Sequence, residues 1–191
     1  MASFAMSASR IAGTATAASA AVGVTLGAKG TISCKPQSRK TSSTASTPTL
    51  QPFHLAVPVH DLGKAKAFYG DIMQLTEGRS SASWQDYSLF GHQFVCHCVG
   101  KEYRAKDYFN PVDSDNVPVP HFGVCLSVDE FHALAGRLQA AGISFIIEPH
   151  LRFEGQAGEQ YTMFFKDPSG NSLEFKAMTN PDNLFAKAGT Y

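Results

Sequence analysis

The sequence predicts an α+β fold built from two βαβββ units. Three observations predict it. Two apolar stretches headed by histidine, HLAVPV from His54 and HFGVCL from His121, lie 67 residues apart, a repeat of one supersecondary unit. Each leads into a segment with helical spacing of apolar residues. Each helical segment is followed by short alternating runs, the signature of half-buried strands.

The elements follow in order. On the first strand, Phe53, Leu55, Val57 and Val59 share one face, and His54, Ala56 and Pro58 the other. Asp61 is placed to cap a helix that runs to about Met73, with Leu62, Ala65, Tyr69 and Ile72 on its buried side. Runs at 74–79, 83–90 and 93–99 read as strands, the last two joined by a turn at Phe90-Gly91-His92. Residues 100–118 are polar and contain proline, and read as a linker. The fifth strand sets Phe122, Val124 and Leu126 against His121, Gly123 and Cys125. Ser127-Val128-Asp129-Glu130 is a capping box, Phe131, Leu134, Ala135 and Leu138 form the buried stripe of the second helix, and Gly142 closes it. Runs at 144–152, 160–166 and 171–178 complete the second unit, with a tight turn over Asp167-Pro168-Ser169-Gly170-Asn171. The units span 52–99 and 119–178 within a domain of 49–179, and 180–191 form a C-terminal tail.

Composition narrows the function. Of 191 residues, 43% are hydrophobic and 17% charged, a globular balance in a chain long enough for a sizeable core. Lys+Arg and Asp+Glu are 16 each, which disfavours a basic nucleic-acid binder. Cys34, Cys96, Cys98 and Cys125 form no CxxC pair, against a disulfide framework or a thiolate zinc site. All 16 acids lie at or after Asp61, whereas Arg10, Lys29, Lys35, Arg39 and Lys40 precede it. The first 50 residues hold 11 Ala and 17 Ser/Thr. That pattern reads as a disordered transit peptide over 1–48, cleaved between Cys34 and Thr49. Sparse Arg and abundant Ser/Thr favour a chloroplast over a mitochondrion. Residues 11–28 are uncharged but too polar and too short for a membrane span.

The polar strand faces carry the candidate chemistry. His54 sits beside Ala56, and His121 beside Gly123, small neighbours that leave room for a ligand. Glu174 lies opposite Leu173 and Phe175, and His97 between Val95 and Val99. If these faces pack inward, His54, His121 and Glu174 converge, with His97 nearby. Two neutral imidazoles and a carboxylate bind a divalent first-row metal and leave positions open for substrate. Plainer readings exist: a lone strand histidine is ordinarily hydrogen-bonded or on the surface, and Lys176 can pair with Glu174. Alternation turns Cys96 and Cys98 away from His97, which makes them core residues and not zinc ligands. Arg79 and Arg152, at strand ends, read either as surface charge or as holders of an anionic substrate. His60, His92, His132 and His150 are not expected to be ligands.

The stretches PFHLAVPVHDLGKAKAFYGDIMQL, GHQFVCHC, VPVPHFGVCL and FFKDPSGNSLEFKAM cover about residues 52–178. Together they resemble the vicinal oxygen chelate superfamily, which includes glyoxalase I, bleomycin-resistance proteins and extradiol dioxygenases. The resemblance implies paired βαβββ units forming a cupped mixed sheet around a metal. It implies metal positions at His54, His97, His121 and Glu174. Ring-cleaving dioxygenases use the equivalents of His54, His121 and Glu174, usually with ferrous iron. They also carry a tyrosine ten residues before the last ligand, where this chain has Phe164. Glyoxalase I has an acid on the fourth strand of its first unit, where the resemblance puts His97.

The implied function is a metal-dependent enzyme that chelates a small substrate through adjacent oxygens, leaning to non-haem Fe(II) dioxygenase-type chemistry. Glu174 and His97 are then the catalytic residues, His97 as acid–base group or fourth ligand. One alternative is a glyoxalase-type lyase, isomerase or epimerase using Zn, Ni or Mn. Another is a non-catalytic binding protein of the bleomycin-resistance type. The expected partners are a small molecule and, as in many family members, a second copy in a homodimer. No nucleic-acid or membrane partner is expected.

Overall fold

The structure, a computed structural model, describes residues 50–186. The expected transit peptide with its cleavage region lies outside the described residues, as do residues 187–191 of the tail. The first unit comprises β1 (His54–Val59), α1 (Leu62–Ala65) continuing as a π-helix (Lys66–Ile72), β2 (Thr76–Ser80), β3 (Trp84–Leu89) and β4 (His92–Cys98). A hairpin of β5 (Tyr108–Val112) and β6 (Asp115–Val119) follows. The second unit comprises β7 (His121–Phe122), α2 (Val128–Ala140), β8 (Phe145–Arg152), β9 (Gln160–Lys166) and β10 (Ser172–Met178). A 3₁₀ helix at Pro181–Phe185 ends the described chain.

Each unit has the expected βαβββ order, and each forms its own four-stranded sheet with the same strand arrangement. The strand orders are β1-β4-β3-β2 and β7-β10-β9-β8, with the first strand parallel to the last in each. Both four-stranded sheets are cupped and open, and they are separate sheets.

Three local features differ from expectation. Asp61 caps α1 by accepting from the Lys64 amide, but the helix then widens, and Met73 donates to the Phe68 carbonyl at 2.9 Å. The buried face becomes Ala65, Phe68, Tyr69 and Met73, while Leu62 and Ile72 are only half-buried. The segment 100–118, read as linker, contains the β5–β6 hairpin instead. The fifth strand is cut short after Phe122. Gly123 explains the cut: a Cβ there would lie 1.6 Å from the Glu174 carbonyl oxygen, so the chain crosses β10 too closely for any side chain. Contact with β10 resumes at the Cys125–Lys176 bridge.

One hydrophobic core joins the two units. Val57, Val59, Phe94 and Cys96 of the first sheet share it with Met163, Phe165, Leu173 and Phe175 of the second, and with residues of both helical segments. Phe94 stacks on Phe122 at 5.3 Å, Phe90 meets Phe175 at 5.7 Å, and Phe68 meets Phe165 at 6.2 Å. The helix-bearing faces therefore pack on one another, and the opposite faces, which carry His54 and His121, turn away from the shared core. A polar clasp reinforces this packing. Asp167, 4% exposed, accepts from Tyr69 Oη at 2.9 Å and from Ser169 N, Asn171 N and Asn171 Nδ2. Asn171 Nδ2 also donates to the Pro58 carbonyl at 2.9 Å, and the His60 amide donates to Ser169 Oγ at 3.0 Å. Among the described residues no helix is long and apolar enough to cross a membrane.

Candidate metal centre

The second unit brings His121 and Glu174 together. His121 Nδ1 lies 2.6 Å from the Pro118 carbonyl oxygen, which can only accept, so Nδ1 carries the proton. In the neutral ring Nε2 is then a bare lone pair, and it faces Glu174 Oε2 at 3.1 Å. The other carboxylate oxygen, Oε1, accepts from Thr162 Oγ1 at 3.1 Å. Lys176 Nζ stands 3.5 Å from Oε2. The Phe164 ring meets His121 edge-on at 5.2 Å and closes its flank.

Electrostatics follow from these contacts. The Glu174 carboxylate raises the pKa of His121 above its ordinary value, burial opposes this, and the Pro118 carbonyl adds to the rise. Burial opposes ionisation of Glu174, but His121, Lys176 and Thr162 together outweigh it and hold the carboxyl below its ordinary value. A lone pair and an ionised carboxylate aimed at each other at this distance form a donor pair suited to a divalent cation.

The first unit prepares His54 in the same way. His54 Nδ1 lies 2.9 Å from Gln93 Oε1. Gln93 Nε2 donates to Asp86 Oδ2 at 3.3 Å, and Asp86 also accepts from Arg79 Nε and Nη2, each at 3.3 Å. This relay turns the amide oxygen of Gln93 toward His54, which fixes the proton on Nδ1 and leaves Nε2 free. The His54 side chain is exposed.

Within one chain the structure unites His121 with Glu174 but does not bring His54 or His97 to them. Among the described residues, no group of three or more His, Cys, Asp or Glu gathers to hold a metal. The reason is the shared core, which turns the histidine-bearing faces away from one another. Strand register also places His97. In β1 and β4 His54 stands opposite Gln93, and in β7 and β10 His121 stands opposite Ser172. Aligning the units on these pairs puts Val95 at the position of Glu174, and His97 at the position of Lys176. Val95 is buried and has no donor atom. His97 lies opposite Pro58 and Trp84, four residues beyond Gln93, about 13 Å along the strand. On these matched rows the first unit thus carries His54 alone, and the second carries His121 and Glu174.

Other candidates have structural roles. Arg79 pairs with Asp86 and lies over the Trp84 ring. Arg152 is buried, donates to the Val112 carbonyl at 2.8 Å and sits beside Asp115, which pins the β5–β6 hairpin to β8. Cys96 is buried in the core, which pushes its thiol pKa far up. His60 bonds Ser169, His92 accepts from the Phe53 amide, His132 packs on Tyr161, and His150 bonds the Glu148 carbonyl. Gln93 and Thr162, which orient His54 and Glu174, carry no signal in the sequence itself. Only cross-strand register identifies them. A cavity of ≈ 430 Å³ opens beside His121, walled by Leu55, Val57, Tyr103 and Phe122, and is roomy enough for a small molecule.

Comparison with known proteins matches this architecture. The model of the Glyoxalase/Bleomycin resistance protein/Dioxygenase superfamily matches residues 51–175. The glutathione transferase FosA of Serratia marcescens is 28% identical over 123 residues, which is 63% of this chain and 76% of that protein. A crystal structure of a glyoxalase/bleomycin resistance protein/dioxygenase from Alicyclobacillus acidocaldarius shares 30% identity at a TM-score of 0.59, covering 70% of this chain and 96% of that one. The fosfomycin resistance protein FosX from Listeria monocytogenes shares the fold at 19% identity, with a TM-score of 0.51 and coverage of 71% and 99%. With the matched span running from Gln51 to Phe175, through the whole first unit and the second as far as β10, the chain belongs to the glyoxalase/bleomycin resistance protein/dioxygenase superfamily.

Proposed function

We propose that the protein is a divalent-metal enzyme that binds a small substrate through two adjacent oxygens, at a centre of His54, His121 and Glu174. One observation carries the reading. Both histidines have Nδ1 tied to a protein oxygen, which leaves Nε2 as the metal-binding nitrogen of the neutral ring, and that of His121 faces a carboxylate. Because His54 turns away from the pair in its own chain, the complete centre is proposed to lie between two copies. His54 of one copy then meets His121 and Glu174 of the other, across the edge strands β1 and β7.

A divalent metal held there supplies Lewis acidity to two substrate oxygens. The chain's own residues do the rest. Thr162 holds one oxygen of Glu174 so that the other faces His121. Phe164, packed edge-on against His121 at 5.2 Å, shields that flank of the pair from water. Lys176, two residues beyond Glu174 on the same face of β10, is a basic group available to a bound substrate.

The ligand set of two histidines and one carboxylate favours ferrous iron and dioxygenase-type chemistry. A second reading, as a lyase, isomerase or epimerase using Zn, Ni or Mn, is favoured by Phe164. It is buried where ring-cleaving dioxygenases carry a tyrosine, so this position supplies no phenol to move a proton. Glu174 is then the proton-transferring group. The alanine- and serine-rich leader supports a plastid location.

The test is metal content of the full chain, purified anaerobically without chelator. We expect about one metal per chain, lost in both His54→Ala and Glu174→Ala. Iron with substrate-dependent oxygen uptake supports the first reading. Zinc, nickel or manganese without oxygen uptake supports the second. No metal after reconstitution with each ion overturns both and leaves a binding module.

A further inference from the structure

We infer that Lys176 makes this centre selective for substrates that chelate as dianions. The inference rests on the metal-centre reading above. Lys176 follows Glu174 by two residues on β10 and shares its face. Its ammonium lies 3.5 Å from Oε2, the carboxylate oxygen that also faces His121. The strand beneath it is tied to the segment that follows β7. The Lys176 amide donates to the Val124 carbonyl at 3.4 Å, and its own carbonyl accepts from the Leu126 amide at 2.7 Å. The side chain remains 33% exposed, so a bound molecule can reach the ammonium.

The charges decide the ligand. A divalent cation, one carboxylate and neutral imidazoles leave a net charge of one positive unit. Lys176 raises it to two. A ligand that brings two negative charges balances such a site, whereas a site without the lysine is balanced by one. The matching class is a carboxylate with an ionised oxygen on the neighbouring atom, such as a 2-oxo acid as its enolate. The ammonium also competes with the metal for Glu174 Oε2. Lys176 therefore acts with opposite signs on two equilibria: it weakens metal binding, and it strengthens binding of a dianion to the loaded centre. A lysine that merely supported the strand would move both in the same direction.

The experiment uses the full chain reconstituted with Mn(II), as wild type, Lys176→Gln and Lys176→Arg. Metal affinity is measured by competition with a chromophoric chelator. Affinity of the loaded protein for oxalate, with two charges, and acetohydroxamate, with one, is measured calorimetrically, with metal content checked afterwards. Lys176→Gln is expected to bind Mn(II) more tightly, to lose about tenfold in oxalate affinity and to lose no more than about threefold for acetohydroxamate. Lys176→Arg is expected to keep wild-type discrimination. Equal losses for both ligands, unchanged oxalate affinity, or weaker metal binding in Lys176→Gln overturns this inference alone. Failure of the wild type to bind Mn(II) or any other divalent ion overturns the metal centre and the inference together.

Discussion

His121 is held between two acceptors, the Pro118 carbonyl and the Glu174 carboxylate, and this sets its behaviour with pH. Its folded-state pKa is raised above 6.5, so its contribution to stability in metal-free protein is complete below that pH and lost as pH rises through the raised value. Glu174 is shifted down from 4.5, so its contribution is present above that value and lost as pH falls through the lowered one. The pair therefore stabilises metal-free protein most between about pH 4.5 and 6.5. Metal affinity should rise with pH until the raised His121 value is passed, because a metal must displace that proton. Glu174→Gln should lower the His121 titration midpoint, read from the imidazole proton resonances; an unchanged midpoint would show that the carboxylate does not control the ring. Gly123 is the other residue on which the site turns. Gly123→Ala forces a methyl group into the Glu174 backbone, and should cost about 3 kcal/mol or more in denaturant unfolding and reduce metal binding with it.

At the scale of elements, α2 offers the simplest check. Ser127 Oγ accepts from the Glu130 amide at 3.3 Å, and Glu130 Oε2 accepts from the Ser127 amide at 3.0 Å. Ser127→Ala should lower stability by about 1 kcal/mol in chemical denaturation, without changing metal content. This box, the buried stripe Phe131–Leu134–Leu138 and the strand runs were legible because capping and alternation are local. The β5–β6 hairpin was not. Its turn puts Asp113 and Ser114 at φ of 50° and 70° with no glycine, and both strands contain proline. The site divides in the same way. Alternation gave the faces of His54, His121 and Glu174, but alternation does not specify rows. Only the pairing of His54 with Gln93 shows that Val95, and not His97, matches Glu174.

At the scale of the whole molecule, separation of His54 from His121 and Glu174 gives a test of the proposed two-copy centre. His54→Ala and Glu174→Ala should each bind no metal. Mixed, unfolded and refolded together, they should recover about a quarter of wild-type occupancy, because random pairing makes half the dimers mixed and each mixed dimer has one intact centre. No recovery would mean that all three ligands come from one chain. That arrangement would require the two units to leave their common core, which the Phe94–Phe122 and Phe90–Phe175 contacts oppose.

That common core also governs how the chain folds and opens. Tandem modules with private interiors melt one after the other. Here each half lacks the other side of its own interior, so a fragment ending near residue 100 should stay unstructured until its complement is supplied. The most protected amides in hydrogen exchange should sit in β4 and β10 together and share one opening free energy, with no intermediate in which half the protein has survived the other.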